Sequence, residues 1–225
     1  MGPPVPKRAA FYIDGFNVYY AVSALKANYL KWVNFWQLAE SLIPKQDEQL
    51  VRVVWCSAFN RREYDALTRH QKFARAQEAC GVTVIMGHYI GLPMDCKECG
   101  HEWQMSSEKE TDVNLALSIF DDARQDRFDH AYLVTADSDQ GATARFLKDC
   151  FPEKKLTSVA PPGKPHSKSI LAHNEARKIA LTADHFERCI LPNAVMSKDG
   201  KKVAAIRPTE YTPPSGWVPP SKRPA

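Results

Sequence analysis

The 225-residue chain reads as a three-layer α/β/α protein with a mainly parallel central sheet. Three observations predict it. Short runs rich in Val, Ile and Tyr alternate with stretches of helical apolar spacing, an order that calls for parallel pairing and a sheet covered on both faces. An apolar fraction of 44% with 25% charged residues is that of an ordinary globular protein, and the length suits one good-sized domain rather than two. Acidic residues stand where several of the apolar runs stop.

The first strand is Ala9 to Ile13, and FYIDGFNVYY (Phe11 to Tyr20) shows it ending on Asp14, with Gly15 and Asn17 behind it. A helix follows, carrying Val18, Ala21, Val22 and Leu25 on one stripe. NFWQLAESLI predicts another, opened by Asn34 as N-cap. Leu50 to Ala58 is the second strand, and residues 62–80 read as a long helix ended by Gly81. Val82 to Ile90, Ala131 to Thr135 and Leu156 to Ala160 complete the strands, each short and bounded by turn residues. Helices at DVNLALSIFDDARQ and DQGATARFLKDC flank the fourth strand. Shorter ones are expected at SILAHNEARKIA and TADHFERCI. The domain spans residues 8–191. From Pro192 the composition changes: the last 34 residues hold seven of the 16 prolines, which predicts a basic, proline-rich flexible tail over 192–225.

The formal charge of +4 resides in that tail, where six basic residues face two acidic ones. The body is neutral, which argues against a uniformly basic nucleic-acid platform and for a local site. No apolar run approaches the roughly 18 residues of a membrane helix. MGPPVPKRAA has no apolar segment behind its basic residues, so no signal peptide is expected. A cytoplasmic protein follows, with Cys56, Cys80, Cys150 and Cys189 as small core residues in a reducing compartment. There is no G-x-G-x-x-G and no Walker loop, which disfavours nicotinamide and ATP enzymes. A haloacid-dehalogenase phosphatase would need an acid two residues beyond Asp14, where Phe16 stands.

Ligands of an open parallel sheet sit at the carboxyl ends of its strands. Asp14 is there on the first strand, and LVTADSDQ puts Asp137 and Asp139 just past the fourth. Asp112 begins the helix that precedes the fourth strand, so it starts at the same edge. Singly, each acid has an ordinary explanation at a helix terminus. Jointly they repel and raise one another's pKa. Lys109, the nearest base by sequence, could relieve this, and a divalent cation relieves it more fully. An all-oxygen set suits Mg²⁺ or Mn²⁺. Asn17, one turn after Asp14, would point its amide at this edge, the other reading being an ordinary first-turn helix residue, and Gly15 and Gly141 keep the turning backbone clear. Separately, DCKECGHEW forms a candidate zinc-knuckle insertion at residues 91–107. Cys96, Cys99 and His101, with His88 as the fourth, are candidate Zn²⁺ ligands. The other reading is a glycine-turned hairpin with two reduced thiols.

YIDGFNVYY, EKETDVNLALSIFDDA and AYLVTADSDQ, in that order and spacing, resemble the NYN domain, on the LabA-like branch of the PIN-like nuclease superfamily. ADHFERCI is similar to that family's closing helix. The resemblance implies a Rossmann-like PIN-type fold and a metal-dependent endoribonuclease that hydrolyses phosphodiester bonds of single-stranded RNA. The family's acids fall on Asp14, Asp112 and Asp137 as Mg²⁺ or Mn²⁺ ligands, with Asp139 as a further acidic position and Asn17 as the motif asparagine. The chain departs from the pattern at Gln140 and Ala142, where many relatives have an aromatic residue and a proline, and at Glu110, where glycine is common. Glu40 is the match for a second-helix acid that many PIN nucleases use, or equally a solvent-facing helix residue. Arg61, Arg62, Arg69, Lys164 and Lys168 are candidate phosphate contacts. Tyr19, Tyr20 and Trp103 are candidate base-stacking residues, with core packing the favoured role for the two tyrosines. A homodimer, and contacts of the tail with RNA or protein, are further partner expectations. The rival reading is a catalytically silent RNA-binding or protein-interaction module on the same scaffold.

Overall fold

From Ala9 to Asp14 every residue of the first strand, β1 (Lys7–Asp14), is buried, because it lies inside a seven-stranded sheet. The computed structural model describes residues 5–60, 63–173 and 177–223. After β1 come α1 (Gly15–Ala24), α2 (Phe35–Leu42), β2 (Glu48–Ala58), α3 (Tyr64–Ala79), β3 (Thr83–Asp95) and β4 (Glu102–Lys109). Then follow α4 (Thr111–Arg124), β5 (His130–Val134), α5 (Gln140–Cys150), β6 (Lys155–Ala160), α6 (Lys168–Leu171), β7 (Ile179–Ala180) and α7 (Ala183–Glu187). A small hairpin, β8 (Ala194–Met196) and β9 (Val203–Ile206), ends the series.

The strand order is β4-β3-β2-β1-β5-β6-β7. Every pair is parallel except β3 with β4. Alternation along β1 divides the core. Ala9, Phe11 and Ile13 pack beneath Val18 and Val22 of α1, Phe35 and Leu38 of α2, and Phe73 of α3. Ala10 and Tyr12 point the other way, onto Leu115 and Ile119 of α4 and Leu147 of α5. Strands covered on both faces make the three-layer architecture that the sequence predicts. Asn34 caps α2 as expected, its side chain accepting from the Gln37 N–H at 3.1 Å. The buried Asp122 pins α4 to the sheet, accepting from the Tyr12 hydroxyl at 2.9 Å and from Arg127 at 2.8 Å, with Arg52 as a third donor.

Three segments depart from the sequence reading. First, the third strand does not stop at Ile90 but runs to Asp95 and returns as β4. Gly91 and Pro93 hide its length, since both are poor interior strand residues. The polar β4 reads as loop because it forms an edge that needs no apolar face. Second, the segment from Pro192 is ordered through Arg223 among the described residues. Val195, Ala205 and Tyr211 are buried in the core that holds Phe11. Trp217 Nε1 and Arg223 donate to Glu187 at 2.7 and 2.6 Å. A proline-rich stretch cannot build its own core, but its stiffness lowers the entropy cost of completing another one. Third, the helix expected over SILAHNEARKIA is limited to Lys168–Leu171, and Ile179–Ala180 instead pairs with β6 as an edge strand. The middle of that stretch, residues 174–176, lies outside the described residues, as do Arg61 and Arg62. Among the described residues no helix is long and apolar enough to cross a membrane.

Candidate active site

β2 lies on one side of β1 and β5 on the other, so the chain changes direction across the sheet between β1 and β5. Such a switch point leaves a crevice at the carboxyl ends of the two strands. Asp14 ends β1 in this crevice and caps α1, its Oδ1 accepting from the Asn17 N–H at 3.0 Å. Its Oδ2 accepts from Thr135 Oγ1 at 2.8 Å. Thr135 also accepts from the Asp137 N–H at 3.1 Å. Asn17 Oδ1 accepts from the Ala136 N–H at 3.0 Å. Two of these bonds, Thr135 to Asp14 and Ala136 to Asn17, join the end of β1 and the start of α1 to the loop after β5, so Asn17 acts on the loop's backbone. Gly15 lets α1 approach β2: a Cβ there would stand 2.5 Å from the Cys56 carbonyl oxygen. Gly141 serves a different purpose from the one expected, since its Cβ would meet Ser169 at 2.5 Å. It brings α5 against α6 rather than clearing the site.

Asp112 enters from the first turn of α4. The turn before it is held by Glu108, which accepts from the Thr111 N–H at 2.9 Å and from the Thr111 hydroxyl. Glu110 has φ +77°, a backbone region that disfavours a Cβ. Gln140 Nε2 donates to the Asp112 carbonyl at 3.3 Å and ties α5 to α4.

Asp14, Asn17, Glu108, Asp112, Asp137 and Lys164 line one cleft of about 640 Å³. Burial drives the Asp14 carboxyl up to about 6, against the opposing bonds from Asn17 and Thr135, and the charges of Asp112 and Asp137 add to the rise. Asp112 is raised as well, by desolvation in the cleft, then by the charges of Asp137 and Glu108. Asp139 stands beside the cleft rather than in its lining; its N–H donates to Asp137 Oδ1 at 3.0 Å. The cation in the lining is Lys164, and Lys109 is not among the lining residues. Glu40 is exposed on α2 and does not line the cleft. Arg69 is bonded to Glu210 at 2.8 Å. Tyr19 and Tyr20 are not core residues: they are 47% and 62% exposed.

Among the described residues no three His, Cys, Asp or Glu side chains form a ready metal cage. The chemistry of the cleft still fits a hard cation: Asp14, Glu108, Asp112 and Asp137 bring oxygen donors to one lining, and the charges of neighbouring carboxylates add to the rise that burial causes in Asp14 and Asp112. The cysteine segment is a hairpin tip, closed by Cys96 N–H to His101 O at 2.9 Å and Gly100 N–H to Cys96 O at 2.8 Å. His88 is paired with Lys109 at the hairpin base, seven residues from Asp95, or about 23 Å of strand. It therefore does not join the cysteines. His101 stacks on Trp103 with centroids 6.0 Å apart.

Glu108, Thr135 and Gln140 are the site residues that sequence reasoning missed. Glu108 had a signal, an acid three residues before the Thr111 that opens a helix. Thr135 had none, because a threonine ending a strand is ordinary.

A mostly parallel, doubly covered sheet with an acidic crevice at its switch point defines a Rossmann-like protein of the PIN type. The sequence profile of the NYN domain matches residues 8–187, and the chain belongs to that family, a generally nuclease-like one. One relative, the 6-hydroxy-3-succinoylpyridine 3-monooxygenase HspA of Pseudomonas putida, is 25% identical over 181 residues, covering 64% of this chain and 56% of the relative. The chain thus spans about half the length of that protein. A solved structure of a protein of unknown function from Vibrio parahaemolyticus superposes with a TM-score of 0.53 at 16% identity, covering 80% of this chain and 96% of the other. That likeness is one of fold.

Proposed function

We propose that the protein is a metal-dependent endoribonuclease that hydrolyses phosphodiester bonds of single-stranded RNA at the Asp14–Asp112–Asp137 cleft. The observation that carries this reading is the convergence of these carboxylates from β1, α4 and the loop after β5 on one cleft. Asp14, Asp112 and Asp137 would hold Mg²⁺ or Mn²⁺, which when bound supplies a water of lowered pKa and offsets charge on the phosphoryl oxygens. The protein's own residues do the rest. Thr135 and Asn17 fix Asp14 and the Asp137 loop relative to each other. Lys164, also in the lining, offers a phosphate contact. Asp139, through its backbone bond to Asp137, holds that side chain's orientation. Asp14 must lose its proton to hold the metal, so metal binding strengthens as pH rises through about 6.

The test is incubation of the purified chain with labelled single-stranded RNA and Mn²⁺ or Mg²⁺, beside Asp14→Asn, Asp137→Asn and an EDTA control. Metal-dependent cleavage lost in both variants supports the reading. Absence of cleavage with RNA binding intact in the variants moves the assignment to a silent RNA-binding module. If neither cleavage nor binding is seen, the oxygenase name of the Pseudomonas relative directs the next assay to small heterocycles.

A further inference from the structure

A second cavity, of about 340 Å³, adjoins the acidic cleft. Phe16, Tyr20 and Tyr89 line both spaces. Phe16 lies 6.3 Å from the Tyr20 ring with 27° between planes, and meets Tyr89 edge-on at 6.1 Å. The two spaces therefore share one aromatic wall. The second cavity differs from the first in its chemistry. Its buried lining includes Phe35, Trp55 and Phe73, and its exposed lining residues, Tyr19, Tyr20 and Glu63, mark its mouth. Two of its inner polar groups, Ser57 Oγ and His70 Nε2, share a 3.2 Å hydrogen bond, and burial pushes His70 down to about 4; the charged residues of its lining are Lys31, Glu63 and Arg69, the last bonded to Glu210 at 2.8 Å. The buried Trp55 Nε1 has no hydrogen-bond partner among the described residues. Lys31 sits 4.8 Å over the Tyr19 ring at the mouth.

A chamber walled mainly by aromatic and apolar side chains suits a flat ring, whereas the adjoining cleft suits a phosphate with its cation. A molecule that fills both across one wall is a phosphate joined to a ring through a short linker, which is the repeating unit of a nucleic-acid strand. We propose that this chamber is a base-binding subsite, which takes a nucleobase flanking the phosphodiester in the acidic cleft and stacks it on Tyr20 and Tyr89. The proposal rests on the nuclease reading of the cleft and adds to it the grip on the substrate. Stacking on aromatic side chains is tolerant of base identity, so the subsite selects unpaired strands rather than one sequence.

The experiment measures binding, not turnover, so it can fail independently of the nuclease reading. A fluorescein-labelled trinucleotide and its fully abasic counterpart are titrated with the full-length chain in Ca²⁺, and anisotropy is recorded. The wild type should hold the intact strand about tenfold more tightly. Ala66→Trp fills the chamber from α3, away from the acids, and should erase that preference while leaving abasic binding unchanged. Unchanged abasic binding also shows that the variant is folded. Tyr89→Ala should act in the same direction from the shared wall. Equal binding of the two strands, or a preference that survives both variants, overturns the subsite. So does a free nucleoside or pyridine that quenches tryptophan fluorescence without competing with the strand, since the chamber would then serve a small molecule. Base-dependent binding without cleavage defeats only the nuclease reading, and cleavage of intact and abasic strands alike defeats only the subsite.

Discussion

Thr135 Oγ1 donates a 2.8 Å hydrogen bond to Oδ2 of Asp14 across the switch point of the sheet. The same oxygen accepts from the Asp137 N–H, so one buried hydroxyl sets two of the candidate acids. Thr135→Val keeps the shape of the side chain and removes the donor. It should lift Asp14 above its value of about 6 and shift the pH profile of Mn²⁺ binding upward by about one unit. Stability at pH 8 should fall by about 1–2 kcal/mol, since a buried carboxylate loses a partner. A profile identical to wild type would remove Thr135 from the site.

Asp14→Asn should end cleavage and stabilise the metal-free fold. Asp14 has a folded pKa above its unfolded one, so the folded state holds the proton more tightly. Its ionisation therefore costs stability as pH rises from about 4 through 6, the reverse of an ion-paired aspartate. The variant is spared this cost. It should exceed wild type at pH 8 by on the order of 1–3 kcal/mol and match it near pH 4. Urea unfolding at the two pH values checks this. Added Mn²⁺ should raise the wild-type Tm and leave the variant's nearly unchanged.

Glu110→Gly should stabilise the protein. With φ at +77° the glutamate bears a left-handed penalty of about 1–2 kcal/mol, against which glycine loses about 0.5–1 kcal/mol in chain entropy. The exposed contact of Glu110 with His88 at 3.3 Å contributes little in return. A Tm rise of roughly 1–4 °C is expected for a chain of this size. A fall in Tm would show that the charge beside α4 matters more than the backbone.

Truncation after Leu191 discriminates an integral C-terminal segment from an appended tail. Loss of the buried Val195, Ala205 and Tyr211 uncovers the apolar side of α3 and should cost several kcal/mol, about 2–4 of it reproduced by Tyr211→Ala alone. Limited proteolysis should also become faster. An unchanged Tm on truncation would restore the flexible tail that the composition suggests.

The architecture and the acids were legible in the sequence because both follow from local signals. Apolar runs alternating with helical periodicity fixed the layering, and the carboxyl ends of two strands and the start of α4 located Asp14, Asp137 and Asp112. Asn34 as a cap was legible for the same reason. What the chain alone did not decide depends on contacts distant in sequence. That Thr135 bonds Asp14, that Lys164 rather than Lys109 faces the acids, and that Gln140 anchors Asp112 are consequences of segments brought together by the sheet. The tail's order has that origin too: its few apolar residues cannot form a core, but they complete one already built on β1 and α3. Tyr19 and Tyr20 show the limit from the other side. Their types favour burial, yet α1 turns them outward, because Val18, Ala21 and Val22 already fill the stripe that faces the sheet.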